Sequence, residues 1–394
     1  MWIYKILLFA QIASSLSFNM DVKTLSSSIF NFSAKFCNEL DKSKSVVSSP
    51  LSAEFLLALL TLGSEDPAHS ELLTSLGISA DDQIRSSFKS LSQNLLSIKG
   101  VTLNVANKVY IKEGDYDLNE DLKKDAVSVF NAAFEKVDFR QNAAAANLIN
   151  KWVENQTNNK IKDLISADSL NDDTRLVLVN AIYFKGTWKK QFDPANTMDQ
   201  PFFITSSETV DIPMMYKEDN YYYGESRSLN AQLLRLDYVG KEASMLIVLP
   251  NEVEGLNGVL SKLAEGHDLL KELDDMHNIK VQVTIPKFKI ETEIDLAELL
   301  PKLGIKSIFN QSNNGLTKIL NKPEGLFVSK AVQKAFIEVN EEGAEAAAAS
   351  AMNVMFCSAM IDEPQVIQFT ADRPFFVAII SNETIYFTAT YRGN

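Results

Sequence analysis

The chain has 394 residues, of which 46% are hydrophobic and 23% charged, proportions ordinary for a globular protein able to bury a large core. A net charge of −13 excludes nucleic acid and anionic membrane surfaces as general partners. Two cysteines, Cys37 and Cys357, cannot build a disulfide framework, and both are expected to be free thiols.

Met1-Trp-Ile-Tyr-Lys5 carries one positive charge, Ile6 to Ile12 is mostly apolar, and Ser15-Leu-Ser17 supplies small residues. This order predicts a secretory signal peptide over 1–17 and a secreted, soluble chain over 18–394. No later apolar run is long enough to span a bilayer. Leu25, Ile29, Phe32, Phe36 and Leu40 recur at steps of three and four, predicting an amphipathic helix over Thr24–Leu40 with Cys37 as inert core. Ser49-Pro50-Leu51-Ser52 opens a second, very apolar helix. Val101–Ile111 alternates as a strand, and Ile149–Ile161 has helical periodicity. The apolar run Leu176–Gly186 predicts a strand buried on both faces. Ile212–Met215, Ser244–Pro250 and Ile285–Ile290 predict further strands, and Phe369–Phe376 and Ile385–Phe387 two closing ones. Neither a linker nor a repeat interrupts the order, so one domain is expected over 18–394. Asn-x-Ser/Thr sequons start at Asn31, Asn155, Asn310 and Asn382. Secretion would open them to glycosylation, Asn31 least, because its helix is predicted to be buried.

Lys334–Asn340 reads as a strand, yet Glu341-Glu342-Gly343-Ala344-Glu345-Ala346-Ala347-Ala348-Ala349-Ser350 follows it and favours a helix by propensity. Gly343 can absorb a change of backbone direction. If the segment became a strand, Ala344, Ala346, Ala348 and Ser350 would share one face, all of them small. No histidine among His69, His267 and His277 sits in a nucleophile or metal motif, and no glycine-rich phosphate loop occurs. An enzyme, a metal and a cofactor are therefore not expected. Arg85, Lys89 and Lys99 are too sparse for a polyanion site, and Lys123-Lys124 and Lys189-Lys190 read as isolated, solvated pairs.

The segment Asn180-Ala-Ile-Tyr-Phe-Lys-Gly-Thr-Trp188, with Phe192 beyond it, resembles a signature of the serpins. Ser49-Pro-Leu-Ser52 and the Glu341–Ser350 string resemble their second helix and hinge, and the likeness runs over almost all the chain after residue 24. It implies a mixed α/β fold of about nine helices around a dominant, mostly antiparallel central sheet, with two smaller sheets and an exposed reactive loop over 343–363. It also implies a monomeric inhibitor that forms a covalent acyl-enzyme with a target protease and inserts residues 344–350 into the sheet. Ser52, Asn180, Trp188 and Gln333 would form the cluster where the sheet opens. The reactive bond would be Cys357–Ser358, with Phe356–Cys357 and Met360–Ile361 as alternative registers. These favour chymotrypsin- or elastase-like serine proteases, with cathepsin-like cysteine proteases second. Without Arg or Lys between Lys334 and Arg373, a trypsin-like target is disfavoured. A non-inhibitory carrier, storage or chaperone role on the same fold is the alternative of another class. Where the family commonly has His-Lys-Ala this chain has Gln333-Lys334-Ala335, Ala344 replaces a common Thr or Ser, and Phe387-Thr-Ala389 replaces a closing Phe-x-Gly.

Overall fold

The computed structural model describes residues 22–312, 315–322, 325–343 and 366–393. Among them run nine α-helices and fourteen strands. The helices are α1 (Val22–Asn38), α2 (Pro50–Leu62), α3 (Ala68–Leu76), α4 (Asp81–Ser97), α5 (Glu120–Ser128), α6 (Asn142–Gln156), α7 (Leu256–Ala264), and the short α8 (Leu269–Glu272) and α9 (Leu296–Leu299). In α1 the periodic Leu25, Ile29, Phe32 and Phe36 are buried, while Leu40 lies past the helix end against the same core. Ser49 caps α2 by accepting the Ser52 N–H on its Oγ, with Pro50 in the first turn, and every residue of that helix is buried.

Two sheets hold the strands. One has the order β10 (Phe288–Asp295), β11 (Val328–Val339), β4 (Leu176–Gly186), β2 (Val101–Lys112), β3 (Ala132–Val137). Its pairings alternate: β10 with β11 and β4 with β2 are antiparallel, β11 with β4 and β2 with β3 parallel. The other has nine strands. Its path is β1 (Val46–Ser48), β14 (Thr384–Tyr391), β13 (Phe375–Ser381), β8 (Ser244–Pro250), β7 (Ala231–Asp237), β6 (Thr209–Ser226), β9 (His277–Pro286), β12 (Ile367–Thr370), with β5 (Thr197–Phe203) on β6. The mixed α/β class is as expected. The two smaller sheets expected from the sequence are one continuous sheet among the described residues. The reason is the length of β6, whose 18 residues pair with β5 at one end, with β9 along the middle and with β7 at the other end.

Side-chain alternation sorts β4 between two cores. Leu176, Leu178, Ile182 and Phe184 pack with α2 residues such as Leu56, and Val177, Val179, Ala181 and Tyr183 pack with Ile149 and Val153 of α6 on the opposite face. The five-stranded sheet is thus covered on both faces. Helix α6 starts seven residues before the predicted Ile149, because Asn142–Ala146 adds strong helix formers. It ends at Gln156 because Thr157 turns its hydroxyl back to the Val153 carbonyl at 2.8 Å, and Asn158 and Asn159 take left-handed φ of 51° and 58°. The single predicted strand Phe369–Phe376 is split into β12 and β13 around Asp372-Arg373-Pro374.

Cys37 is buried at the base of α1, and its thiol donates to the Thr388 hydroxyl at 2.9 Å. Burial pushes this thiol up to about 11, against the opposing pull of the Thr388 and Ser48 hydroxyls. The unfolded thiol ionises near 9, so this contribution is complete below that pH and is lost as pH rises to the folded value. The loss is roughly 3 kcal/mol. We expect Cys37 to resist alkylation in the native protein at pH 8 and to react at once in denaturant. Peptide mass spectrometry after iodoacetamide treatment checks this; native labelling of Cys37 would contradict the packed environment.

Candidate functional site

The site begins with register. Asn107 of β2 lies abreast of Asn180 of β4, and Asn180 lies abreast of Gln333 of β11. Three side-chain amides therefore form one row across three adjacent strands, and all three are buried. The row faces the start of α2. Gln333 Nε2 donates to Asn180 Oδ1 at 2.6 Å and to the Ser49 carbonyl at 2.9 Å, and its Oε1 accepts the Ser49 N–H at 2.9 Å. Asn180 Nδ2 donates to Ser52 Oγ and to Asn107 Oδ1, both at 2.5 Å. Ser49 Oγ donates to the Tyr386 carbonyl at 2.6 Å and so ties the cluster to β14. Every amide donor of Gln333 and Asn180 is used, which is the condition for a buried polar network to stabilise.

Ser52, Asn180 and Gln333 are thus brought together as expected from the sequence, with two adjustments. Gln333 reaches Ser49 rather than Ser52, because the exposed peptide edge at the N-cap matches an amide side chain on both its donor and its acceptor. Trp188 is not in the cluster. Eight residues beyond Asn180, it lies about 26 Å further along an extended chain. There its ring stacks on Tyr238, with centroids 4.6 Å apart.

Trp188 belongs to a second locus, where β11 ends. Its indole N–H donates to the Asn340 carbonyl at 2.8 Å, and its backbone N–H to the Glu342 carbonyl at 3.0 Å. The Phe192 N–H donates to the Glu341 carbonyl at 2.9 Å, and the Gln191 amide to the Glu342 carbonyl at 3.4 Å. The Glu341 carboxylate accepts from Thr197 Oγ1 at 2.9 Å and pairs with Lys287 at 3.0 Å. Burial alone would raise this carboxyl, but Lys287, its own backbone N–H and Thr197 together hold it below the ordinary range. Residues 188–192 therefore act as a strap over Asn340–Glu342. Gly343 follows with a φ of 84°, and a Cβ there would lie 2.4 Å from the Trp188 nitrogen and 2.5 Å from the Gly186 carbonyl oxygen. Only glycine fits this exit from the sheet.

A family model described as "Serpin (serine protease inhibitor)" matches residues 27–392. The chain belongs to the serpin family. It is 45% identical over 348 residues to Antichymotrypsin-2 of Bombyx mori, covering 88% of this chain and 92% of that protein. It is 43% identical to Antitrypsin of the same insect, covering 92% of each. Among solved structures, Serpin48 of the insect Tenebrio molitor superposes with a TM-score of 0.85 at 34% identity, covering 95% of this chain and 99% of that one.

Of the serpin hinge, Glu342 and Gly343 are placed at the end of β11; Ala344, Glu345, Ala346, Ala347, Ala348, Ala349 and Ser350 lie outside the described residues. The same holds for Phe356, Cys357, Ser358, Met360 and Ile361, and for the signal-peptide segment 1–17. All four sequon asparagines are exposed, Asn31 included, because it points away from the buried face of α1. The expectation that burial shields Asn31 is therefore corrected. His69 and His267 each bind a carboxylate, on Asp81 at 2.8 Å and on Glu272 at 2.7 Å, while His277 meets the Asp275 backbone carbonyl. Sequence reading missed Ser49, Asn107, Thr197 and Lys287 as parts of the site. β2 carries two asparagines, Asn104 and Asn107, and nothing local singles out Asn107. Nothing in the sequence links Thr197 and Lys287 to Glu341. Glu54 of α2 was missed too: it is buried, and burial pushes its carboxyl well above the usual range.

Replacing Asn180 with Ala leaves Gln333, Asn107 and Ser52 each short of a buried partner, at about 1–3 kcal/mol for each group left unpaired. The expected outcome is a lower thermal midpoint and faster conversion to inactive, non-native forms. Thermal melts and native gels over time measure both; a wild-type midpoint would show that the row does not hold the sheet closed.

Proposed function

We propose that this serpin is a secreted protease inhibitor that traps its target as a suicide substrate, with a chymotrypsin- or elastase-like serine endopeptidase as that target. The observation carrying this reading is the seam between β11 and β4. These strands run parallel; β11 ends at Val339, and Gly343, four residues on, lies against Gly186 at the end of β4. A segment that turned back at Gly343 would run antiparallel to both strands. Insertion would replace one parallel ladder, the slightly weaker kind per residue, with two antiparallel ones.

The energy suffices. About ten additional backbone hydrogen bonds at about 1 kcal/mol each give on the order of 10 kcal/mol, comparable to the stability of a whole domain. The native form would be held kinetically. In the chemical step the protease's nucleophilic oxygen bonds to the carbonyl carbon of the bait residue. The peptide C–N bond breaks, and the new amine leaves with a proton. The first half of the loop, now free at its end, would insert with the acyl-enzyme attached before water can cleave the ester. Loop insertion of this kind is a switching transition of the family.

A hinge bearing bulky or branched polar residues would favour the carrier, storage or chaperone role. The alanine-rich segment 344–350 favours inhibition, because small side chains can enter between packed strands. The names of the relatives point to both chymotrypsin and trypsin, so the target class rests on the loop. Residues 335–372 contain no Arg or Lys, and an acidic specificity pocket would find no cation there. Secretion rests on residues 1–17, and no helix among the described residues is long and apolar enough to cross a membrane.

Incubation with chymotrypsin, elastase, trypsin and a cathepsin-type cysteine protease tests the assignment. We expect an SDS-stable complex with chymotrypsin or elastase and release of a C-terminal peptide beginning at Ser358. A peptide beginning at Cys357 or Ile361 moves the bond to an alternative register. Fast trapping of trypsin would overturn the loop reading. Independently, Ala344→Arg should convert the protein from inhibitor to substrate, because a buried unpaired charge opposes insertion. Complex formation would fall by at least tenfold while loop cleavage continues; unchanged trapping would rule out insertion as the mechanism.

A further inference from the structure

The strap over the hinge sits among cations that are far apart in the sequence. Lys189 and Lys190 are on the strap itself, and Lys217 from β6 donates to the Gln191 carbonyl at 2.9 Å. Arg235 of β7 lies over the Tyr222 ring at 4.1 Å, and Lys241 occupies the turn after Tyr238 with a left-handed φ of 63°. Backbone pairing fixes the arrangement, since Lys189 N–H donates to the Asp237 carbonyl and Val239 N–H to the Thr187 carbonyl. Among the described residues, two carboxylates form ion pairs with members of this group. Asp219 pairs with Lys190 at 2.5 Å, and Asp237 is shared by Arg235 at 3.2 Å and Lys189 at 3.9 Å. Partial burial and the facing Lys241 ammonium together depress Lys189 below the ordinary lysine range. Lys189-Lys190, an isolated pair in the sequence, is therefore the centre of a local positive excess on a protein of net charge −13.

A cavity of about 60 Å³ opens at this point, lined among others by Lys189, Lys190, Arg235, Asn220 and Asn278. That is room for several waters, and so for one tetrahedral group, with ammonium, guanidinium and amide groups in the wall beside the Asp237 carboxylate, which Arg235 and Lys189 already engage. We propose that this cavity binds a single sulfate or phosphate group, free or as a monoester, and that its occupation fastens the strap over the hinge. Neutralising the Lys189–Lys241 repulsion stabilises the strap in the position where it bonds Glu341 and Glu342. An occupied site would therefore delay departure of the hinge. A long polyanion fits less well, because repulsion from the acidic remainder of the surface grows with its length.

The hinge effect rests on the inhibitory reading, whereas binding can be measured without it. Equilibrium dialysis and thermal melts of the intact protein with millimolar sodium sulfate, at ionic strength matched with chloride, should give saturable binding of one sulfate and a raised midpoint. Lys189→Gln and Lys241→Asn should each weaken binding about tenfold. Both positions are exposed, and Asn tolerates the left-handed backbone at 241. A sulfated monosaccharide should match inorganic sulfate, and a heparin chain should gain little per site. Binding that does not saturate, or that both variants retain in full, would overturn the site; several sulfates bound along heparin would overturn the single-group assignment. With a trapped protease, sulfate should increase the moles of inhibitor cleaved per complex formed. Normal binding with an unchanged ratio would overturn the coupling to the hinge, and a protein that binds sulfate but traps no protease would refute the inhibitory reading alone.

Discussion

The hydrogen bond from Gln333 to Asn180 is the polar clasp between side chains across a seam that is otherwise backbone ladder and mostly apolar side chains, the Tyr183–Phe336 ring pair included. Both faces of the seam are packed, toward α2 on one side and α6 on the other. Parting β11 from β4 leaves that layer packing available in either state, because apolar side chains keep the same partner helix. What is lost is directional: the ladder and the amide clasp. An incoming strand restores the ladder twice over. The closed sheet is therefore protected by the difficulty of breaking polar bonds in a dry interior, where an unpaired group costs about 1–3 kcal/mol, and not by superior packing. A barrier built in this way is compatible with a large gain beyond it.

The hinge divides the chain into a part that is tied and a part that can depart. Up to Glu342, each residue after β11 is bonded to the strap: Asn340 through the Trp188 indole, Glu341 and Glu342 through backbone N–H groups. Glu341 adds a side-chain anchor to β5 and to Lys287. Gly343 then turns the chain in a conformation that other residues avoid, against backbone that a Cβ would strike. A reversal at this glycine lets the following residues enter the seam without disturbing the anchors before it. The strap thus lies just past the end of β4 and the amide row crosses its middle; under the proposed mechanism the first would fix where insertion starts and the second whether the sheet is open to receive it.

The strands of the five-stranded sheet were legible because their side chains carry the pattern locally. Leu176–Gly186 is apolar on both faces, and its lone Asn180 stood out. Pairing was not legible. That Asn107, Asn180 and Gln333 stand abreast depends on the register of three strands separated by scores of residues, and no local pattern specifies it. The family likeness supplied two members of the row and Ser52 facing it, and misplaced Trp188, since adjacency in one motif does not bring two residues of an extended strand together. Helix ends were misjudged where side chains decided them, as Thr157 does for α6. Asn31 was taken as buried because a helix was treated as a whole and not face by face. The cations around the strap come from two strands and two connections, so Lys189-Lys190 looked like solvated surface until folding joined them to the others.

Having Gln333 where a histidine is common in the family relocates the molecule's response to pH. An amide carries no proton that leaves in the accessible range, so the clasp is the same at pH 5 and pH 8. At the hinge the ionisable group is Glu341, whose carboxylate is held below the ordinary range despite the opposing effect of burial. A depressed carboxyl stabilises the folded form above its unfolded value, and the contribution is lost as pH falls through the folded one. Acid therefore acts on the hinge anchor and leaves the clasp intact, so acidification loosens where insertion begins without opening the seam that would receive it. A histidine at position 333 would place titration in the clasp itself, near neutrality. The substitution thus removes from the clasp the one side chain that would titrate near neutrality.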